Sequence, residues 1–418
     1  MSCNEHERRD TQLALKLKER IGSYGPMSIA DYMDACLNDD EFGYYRTARV
    51  LGRDGDFITA PEISQTFGEL LGLWAVSVWE SWGRSDNFNL VELGAGRGTL
   101  LADALRAARV MPSFLEAVHV YIFESNPILQ RQQAETLKDI GVQVSWLESE
   151  PLDKLDEINI EDKDFEHKIP DAWKNDDFYV VKAPEIRPGQ TLLIANEFLD
   201  CLPVSQFVRK SDTPPGWVRR RVGLDDDGNL QFVTGRFAPP VNSPLPSELR
   251  QLDLGCGDLA RDDGAIIETR DLTHSALGEL YDLVAWSSEQ PHAALFIDYG
   301  HAKTEVGDTL QAVRDHEFEH PLTSPGEADL SAHVDFQQVA RQMREMEYAV
   351  DGPILQGDFL GRLGIMERAS KLMRENPDKA GAIETSVARL MSPSGMGSRF
   401  KVIGVRSPGL AALPGFET

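Results

Sequence analysis

A carboxylate followed by three glycines in five positions sets the first chemical question. In VELGAGRGTL, residues 91–100, Glu92 precedes Gly94, Gly96 and Gly98. Glycines let backbone approach a ligand closely. The dinucleotide fingerprint G-x-G-x-x-G uses this to hold a pyrophosphate at a helix N-terminus. Here the spacing is G-x-G-x-G, Thr99 stands where a third dinucleotide glycine would be, and Glu92 would repel a pyrophosphate. A carboxylate at that position attracts a cation instead. S-adenosylmethionine has no phosphate but carries an ammonium and a sulfonium, so it fits the pattern. Glu124, closing the run YIFES, can pair with both ribose hydroxyls. NAD sites use the same device, so Glu124 indicates adenosine without separating the two cofactors.

A second constellation follows the apolar run QTLLIAN, which continues as NEFLDCLP. Ligands of open α/β sheets bind beyond the carboxyl ends of the strands. Asn196, Glu197 and Asp200 are therefore expected beside the cofactor's methyl group. Glu197 and Asp200, three apart, either form a planar acceptor pair for a guanidinium or divide into a helix cap and a solvated acid.

Two further stretches imitate functional motifs. LDLGCGDL (252–259) repeats the glycine pattern with Asp253 as the acid, but no buried strand precedes it and no helix and second strand follow in register; it reads as a loop. HEFEH (316–320) matches H-E-x-x-H, which needs both histidines on one helix face. Pro321 biases His320 away from helix, and no third ligand is evident, so no metal is expected.

Elements of alternating type must position these residues. Strands are expected at 90–93, 118–123, 142–147, 190–196 and 293–298, with helices at 99–109 and 127–140 between them. That alternation predicts an α/β fold: a doubly wound, Rossmann-like sheet. TQLALKLKERI, SIADYMDACL (with Ser28 as N-cap) and TFGELLGLWAVSVWESW predict an N-terminal helical region. Residues 204–235 alternate around DDDGN and predict an antiparallel hairpin. The expected organisation is 1–84, helical and covering the site; 85–203, the core, with an exposed acidic insertion at about 148–188; 204–290, an antiparallel and helical insertion; and 291–418, completion of the core with helices at 335–348 and 378–391 and a strand, FKVIGV.

The 418 residues carry a net charge of -26, with 41% hydrophobic and 26% charged residues. Such an acidic balance excludes nucleic-acid backbones as natural partners and suits a basic one. Four scattered cysteines fit reduced thiols. No apolar run reaches transmembrane length, so membrane insertion is not expected. The start, MSCNEHERRD, has no h-region and is too acidic for a transit peptide; the expected compartment is cytoplasmic. Oligomeric state is left open.

The blocks EFGYY, GDFITAPEISQTFGELLG, VELGAGRGTLLADAL, ANEFLDCLPV, FIDYGH, PGEADLSAHVDF and MGSRFKVIGV stand in this order over nearly the whole chain. Together they resemble the MidA family of methyltransferase-fold proteins, which includes a mitochondrial assembly factor that methylates an arginine in a subunit of respiratory complex I. The resemblance implies a methyltransferase core, S-adenosylmethionine as cofactor and a protein arginine as substrate. It implies that Glu92, Gly94, Ala95, Gly96, Gly98, Glu124 and Ser125 hold the cofactor and that Asn196, Glu197 and Asp200 line the acceptor site. Asp56, Thr59 and Glu62 would fold over that site. The long acidic insertion departs from the family, which is usually shorter there. A small-molecule methyltransferase, a non-catalytic assembly factor with a retained cofactor site, and an NAD-dependent dehydrogenase are the alternative functions.

Overall fold

Six consecutive buried residues, Phe88–Leu93, form the strand from which the central sheet is laid out (β1). A strand buried on both faces belongs inside a parallel sheet covered by helices. On one side of β1 lie β2 (Val118–Phe123), β3 (Gln143–Leu147) and β4 (Tyr179–Val180); on the other lie β5 (Gln190–Asn196) and β6 (His292–His301). All six are parallel. β7 (Ala349–Leu355) and β8 (Phe400–Arg406) are antiparallel to each other, and β8 lies beside β6. This is the α/β sheet expected from the alternating pattern. The computed structural model describes residues 8–46, 59–147, 179–180, 186–211, 216–234, 262–272 and 290–417. LDLGCGDL, Asp56 and nearly all of the acidic insertion lie outside them.

Two units divide the chain. β1 to β8 belong to the one formed by residues 58–198, 276–298 and 343–418, apart from the last residues of β6. Within it, the chain runs outward from β1 to β4 and then returns to the far side of β1. The order reverses between β1 and β5, the switch point where ligand crevices open. Helix α1 (Gln65–Ser81) packs on α2 (Thr99–Ala108), which follows the glycine turn. Gly68 and Gly72 allow the close approach: a Cβ on Gly72 would lie 2.2 Å from the carbonyl oxygen of Ala104. After β2, helix α3 (Pro127–Leu137) starts from Asn126, whose side chain accepts the N–H groups of Ile128 and Leu129.

The other unit comprises residues 1–57, 199–275 and 299–342. Its helices Gln12–Tyr24 and Ile29–Asn38 bury Leu13, Leu17, Ile21, Tyr32 and Met33 against Val222, Leu230 and Leu330. Ser28 caps the second helix in a reciprocal capping box with Asp31. Strands Ser205–Lys210, Gly216–Leu224, Leu230–Thr234 and Ile266–Thr269 form an antiparallel sheet. The turn DDDGN joins two of them as expected, with Gly228 at φ 80. HEFEH is also part of a hairpin: His316 occupies the turn at φ 64 and Glu317–Glu319 pair with Gln311–Arg314. Its two histidines do not share a helix face, the arrangement the zinc motif requires. Among the described residues no helix is long and apolar enough to cross a membrane.

Candidate active site

Strand register places the two constellations at one level. Leu93 of β1 is paired with Phe123 of β2 on one side and Ala195 of β5 on the other. Gly94, Glu124 and Asn196 are therefore the next residues out, side by side at the carboxyl edge of three parallel strands. The glycine turn begins with Gly94 donating its N–H to the Phe123 carbonyl at 3.0 Å. Gly94, Gly96 and Gly98 adopt φ of 63, 53 and 79, the left-handed region that glycine enters without steric penalty. A Cβ on Gly94 would come 3.0 Å from the ring of Phe198, whereas one on Gly96 would meet no protein atom within 4 Å.

Glu92 is buried, and its Oε2 has no hydrogen-bond partner among the described residues. Burial, and then the nearby Glu124 carboxylate, push its carboxyl pKa up to about 8. An unsatisfied buried carboxylate is costly. A cationic ligand would relieve both the missing partner and the repulsion. Glu124 is held differently: Oε1 accepts the Asn126 N–H at 2.9 Å and Oε2 accepts from Gln133 Nε2 at 3.1 Å. Ser125 follows it between β2 and α3, and Ala95 is buried within the glycine turn.

Gln133 was not singled out by the sequence, yet it binds the cofactor-side elements together. The same Nε2 donates to the Gly96 carbonyl at 2.8 Å, while its Oε1 accepts the indole N–H of Trp146 at 2.8 Å. A glutamine inside a helix carries no motif. Only its placement on the α3 face toward β1 and β2 shows the role.

At the carboxyl edge of β5, Glu197 has φ 53, which costs a non-glycine residue roughly 1–3 kcal/mol and is typical of functional positions. Its N–H donates to the Ile297 carbonyl at 2.9 Å, and its Oε1 accepts from Asn196 Nδ2 at 3.2 Å and from the Ala60 N–H at 3.0 Å. Asn196 is buried, and its Oδ1 has no hydrogen-bond partner among the described residues. Thr59 stands at the N-cap of the short helix Ala60–Ile63 without a side-chain cap bond. Glu62 of that helix pairs with Arg97 inside the glycine turn and accepts from Thr99 Oγ1 at 2.7 Å. The segment is thus tied at one end to Glu197 and at the other to the turn. Asp200 belongs to the other unit; it is buried, Cys201 Sγ lies 3.4 Å from its Oδ1, and burial raises its pKa.

Comparison with known proteins follows the same lines. Residues 70–354 match a family described as "Putative S-adenosyl-L-methionine-dependent methyltransferase". The chain is 36% identical over 401 residues to the mitochondrial protein arginine methyltransferase NDUFAF7 of Rattus norvegicus, covering 93% of this chain and 83% of that protein. It is 35% identical over 397 residues to the Homo sapiens protein of the same name, covering 93% and 82%. Its fold is similar to the crystal structure of a COG1565 superfamily member and likely methyl transferase from Burkholderia thailandensis bound to S-adenosyl-homocysteine. The TM-score is 0.74 at 24% identity, over 97% of this chain and 94% of that one. With a match this long, a glycine turn beside a buried acid and the fold in common, the chain belongs to the MidA family of S-adenosyl-L-methionine-dependent methyltransferases.

Proposed function

We propose that this methyltransferase acts on an arginine side chain of a protein substrate. The observation that carries the reading is Glu197: a carboxylate held in left-handed backbone at the carboxyl edge of β5, level with the glycine turn. When bound, S-adenosylmethionine supplies an electrophilic methyl group on a sulfonium. Glu92 and Glu124 would hold its cationic and ribose parts, and Gly94, Ala95, Gly96, Gly98 and Ser125 would line it. Glu197 would anchor the guanidinium by charge and keep its positive charge on the nitrogens away from the acceptor nitrogen. Asn196, whose amide already touches Glu197, would fix the orientation of that carboxylate. Thr59 and Glu62 are assigned to the segment covering the acceptor. Positioning is the main contribution asked of these residues.

A basic substrate segment suits a chain of net charge -26. The names of the relatives support arginine as the acceptor, and a respiratory complex I subunit is the target that the family resemblance suggests. We place the protein in the cytoplasm, where unbridged thiols such as Cys36 and Cys201 persist. Incubation with methyl-labelled S-adenosylmethionine and an extract from a strain lacking the protein tests the reading. A labelled protein band, identified by mass, is expected; label confined to small molecules would overturn it.

A further inference from the structure

Charge on the antiparallel sheet is segregated by face. Side chains alternate along a strand, so residues 217, 219 and 221 share one face and 218, 220 and 222 the other. On the second face, which also carries Lys210, Arg220 pairs with Asp308, and Gln206 bonds both Asp308 and Glu268, so acids stand among its basic groups. The first face carries Arg209, Arg219 and Arg221. Register sets Arg209 opposite Trp217 and Arg219 opposite Phe207, and each guanidinium lies over the facing ring, at 5.9 and 5.3 Å. The remaining positions of this face among the described residues are Ser28, Ser205, Ile267, Thr269, Gly223, Gln231 and Val233. No aspartate or glutamate stands among them.

Arg219 and Arg221 continue into a cleft of about 300 Å³ that Arg20 also lines. Arg221 donates to the Pro26 carbonyl at 3.2 Å and Arg20 to the Met27 sulfur at 3.6 Å. None of Arg20, Arg209, Arg219 and Arg221 is ion-paired with a carboxylate of the described residues. The acid lining the cleft, Asp31, is engaged in the capping box with Ser28. In a chain with 68 acidic and 42 basic residues, a face bearing several arginines and no acid is the reverse of the average surface.

We propose that this arginine face and its cleft form a docking site for an acidic, carboxylate-rich peptide segment of a partner protein. Guanidinium forks bind carboxylates bidentately, which fixes a chain's direction as well as attracting it. Nucleic acid is the other polyanion to weigh. Its bases need exposed rings for stacking, and here Phe207 and Trp217 are buried in a cluster with Ile267. The chain's net charge of -26 opposes it as well.

Fluorescence anisotropy of a labelled peptide of alternating glutamate and serine, with the full chain, tests the site. The peptide is expected to bind, to weaken as salt is raised, and to lose at least ~10-fold in affinity in R219E/R221E, the scale of several exposed charge pairs reversed together. R219K/R221K, which keeps the charge but loses the fork, should bind with an affinity between those of the natural chain and R219E/R221E, and S-adenosylmethionine binding should be unchanged in both variants. If R219E/R221E fails to fold by circular dichroism, R20E/R209E carries the same expectation. Failure of the natural chain to bind the peptide, equal affinity in the charge-reversed variant, or tighter binding of a single-stranded oligothymidylate would each overturn the proposal.

Discussion

Glu197 Oε1 accepts the backbone N–H of Ala60 at 3.0 Å, so the carboxylate assigned to the acceptor also holds the start of the segment closing over the glycine turn. That segment's Glu62 is fastened to Arg97 and Thr99 of the turn. The proposed cofactor and acceptor sides therefore share one short helix, and changes on either side have readouts that separate them.

With Glu92 as the proposed partner of the cofactor's cation, cofactor binding should depend on pH. In the cofactor-free protein its carboxyl titrates near 8, raised by burial and by Glu124, and a cation binds its ionised form. S-adenosylmethionine affinity should rise from pH 6 to about 8 and then level, with a proton released on binding at pH 7. Calorimetry in buffers of different ionisation enthalpy measures the proton. Stability of the cofactor-free chain runs the other way. The folded state holds this proton above the unfolded carboxyl's range, so stability falls as pH rises through that range toward 8. Glu92→Gln should flatten both dependences, and an unchanged affinity profile in that variant would count against the assignment.

Gln133→Leu removes the amide that joins the Gly96 carbonyl, Glu124 and the Trp146 indole. It removes three hydrogen bonds of one side chain, which costs about 1–3 kcal/mol of stability. Cofactor affinity should fall roughly 10-fold, the equivalent of about 1.4 kcal/mol. Denaturant unfolding and calorimetry report the two losses. Wild-type affinity in the variant would show that the turn holds its shape without the clamp.

Gly96→Val should abolish cofactor binding. Gly96 has φ 53, where a β-branched residue is a steric outlier. Since a Cβ there would meet no protein atom within 4 Å, the fold itself should tolerate the change better than the ligand does. Retained affinity by calorimetry would move the cofactor site elsewhere.

His316→Ala and His320→Ala should leave methyl transfer nearly unaltered, and a chelator should not inhibit. His316 occupies a hairpin turn, while His320 packs its ring on Phe232 and accepts the Leu322 N–H on Nδ1. Losing that bond costs about 1 kcal/mol of stability at most. Stoichiometric zinc in the purified protein, lost in His316→Ala, would reverse the expectation.

Where local pattern decides structure, the sequence was legible. The apolar runs of β1, β2 and β5, and the helices after β1 and β2, lie where periodicity put them, since each is set by which faces are buried. The glycine turn and Glu92 were legible because a carboxylate beside three glycines has few physical uses. Long-range arrangements were not. The strand Ile266–Thr269 pairs with residues about sixty positions earlier, and its four residues carry no periodicity of their own. β7 contains Gly352 and Pro353, which argue against a strand, and its pairing with β8 shifts register there. The link of Glu197 to Ala60 spans 137 positions, and the three bonds of Gln133 come from three different elements.

The central claim, that Glu197 anchors an arginine for methyl transfer, is tested most directly by the methylated product itself. Labelled target protein made with the natural chain and with Glu197→Gln would be digested, and the modified residue identified by mass spectrometry, alongside calorimetry of S-adenosylmethionine binding to both proteins. Methylarginine is predicted with the natural chain, and transfer falling ~100-fold or more in Glu197→Gln, the scale of losing a preorganised electrostatic contact, while cofactor affinity stays nearly the same. Methylation of another residue type, full transfer by Glu197→Gln, or loss of its cofactor affinity would contradict the claim.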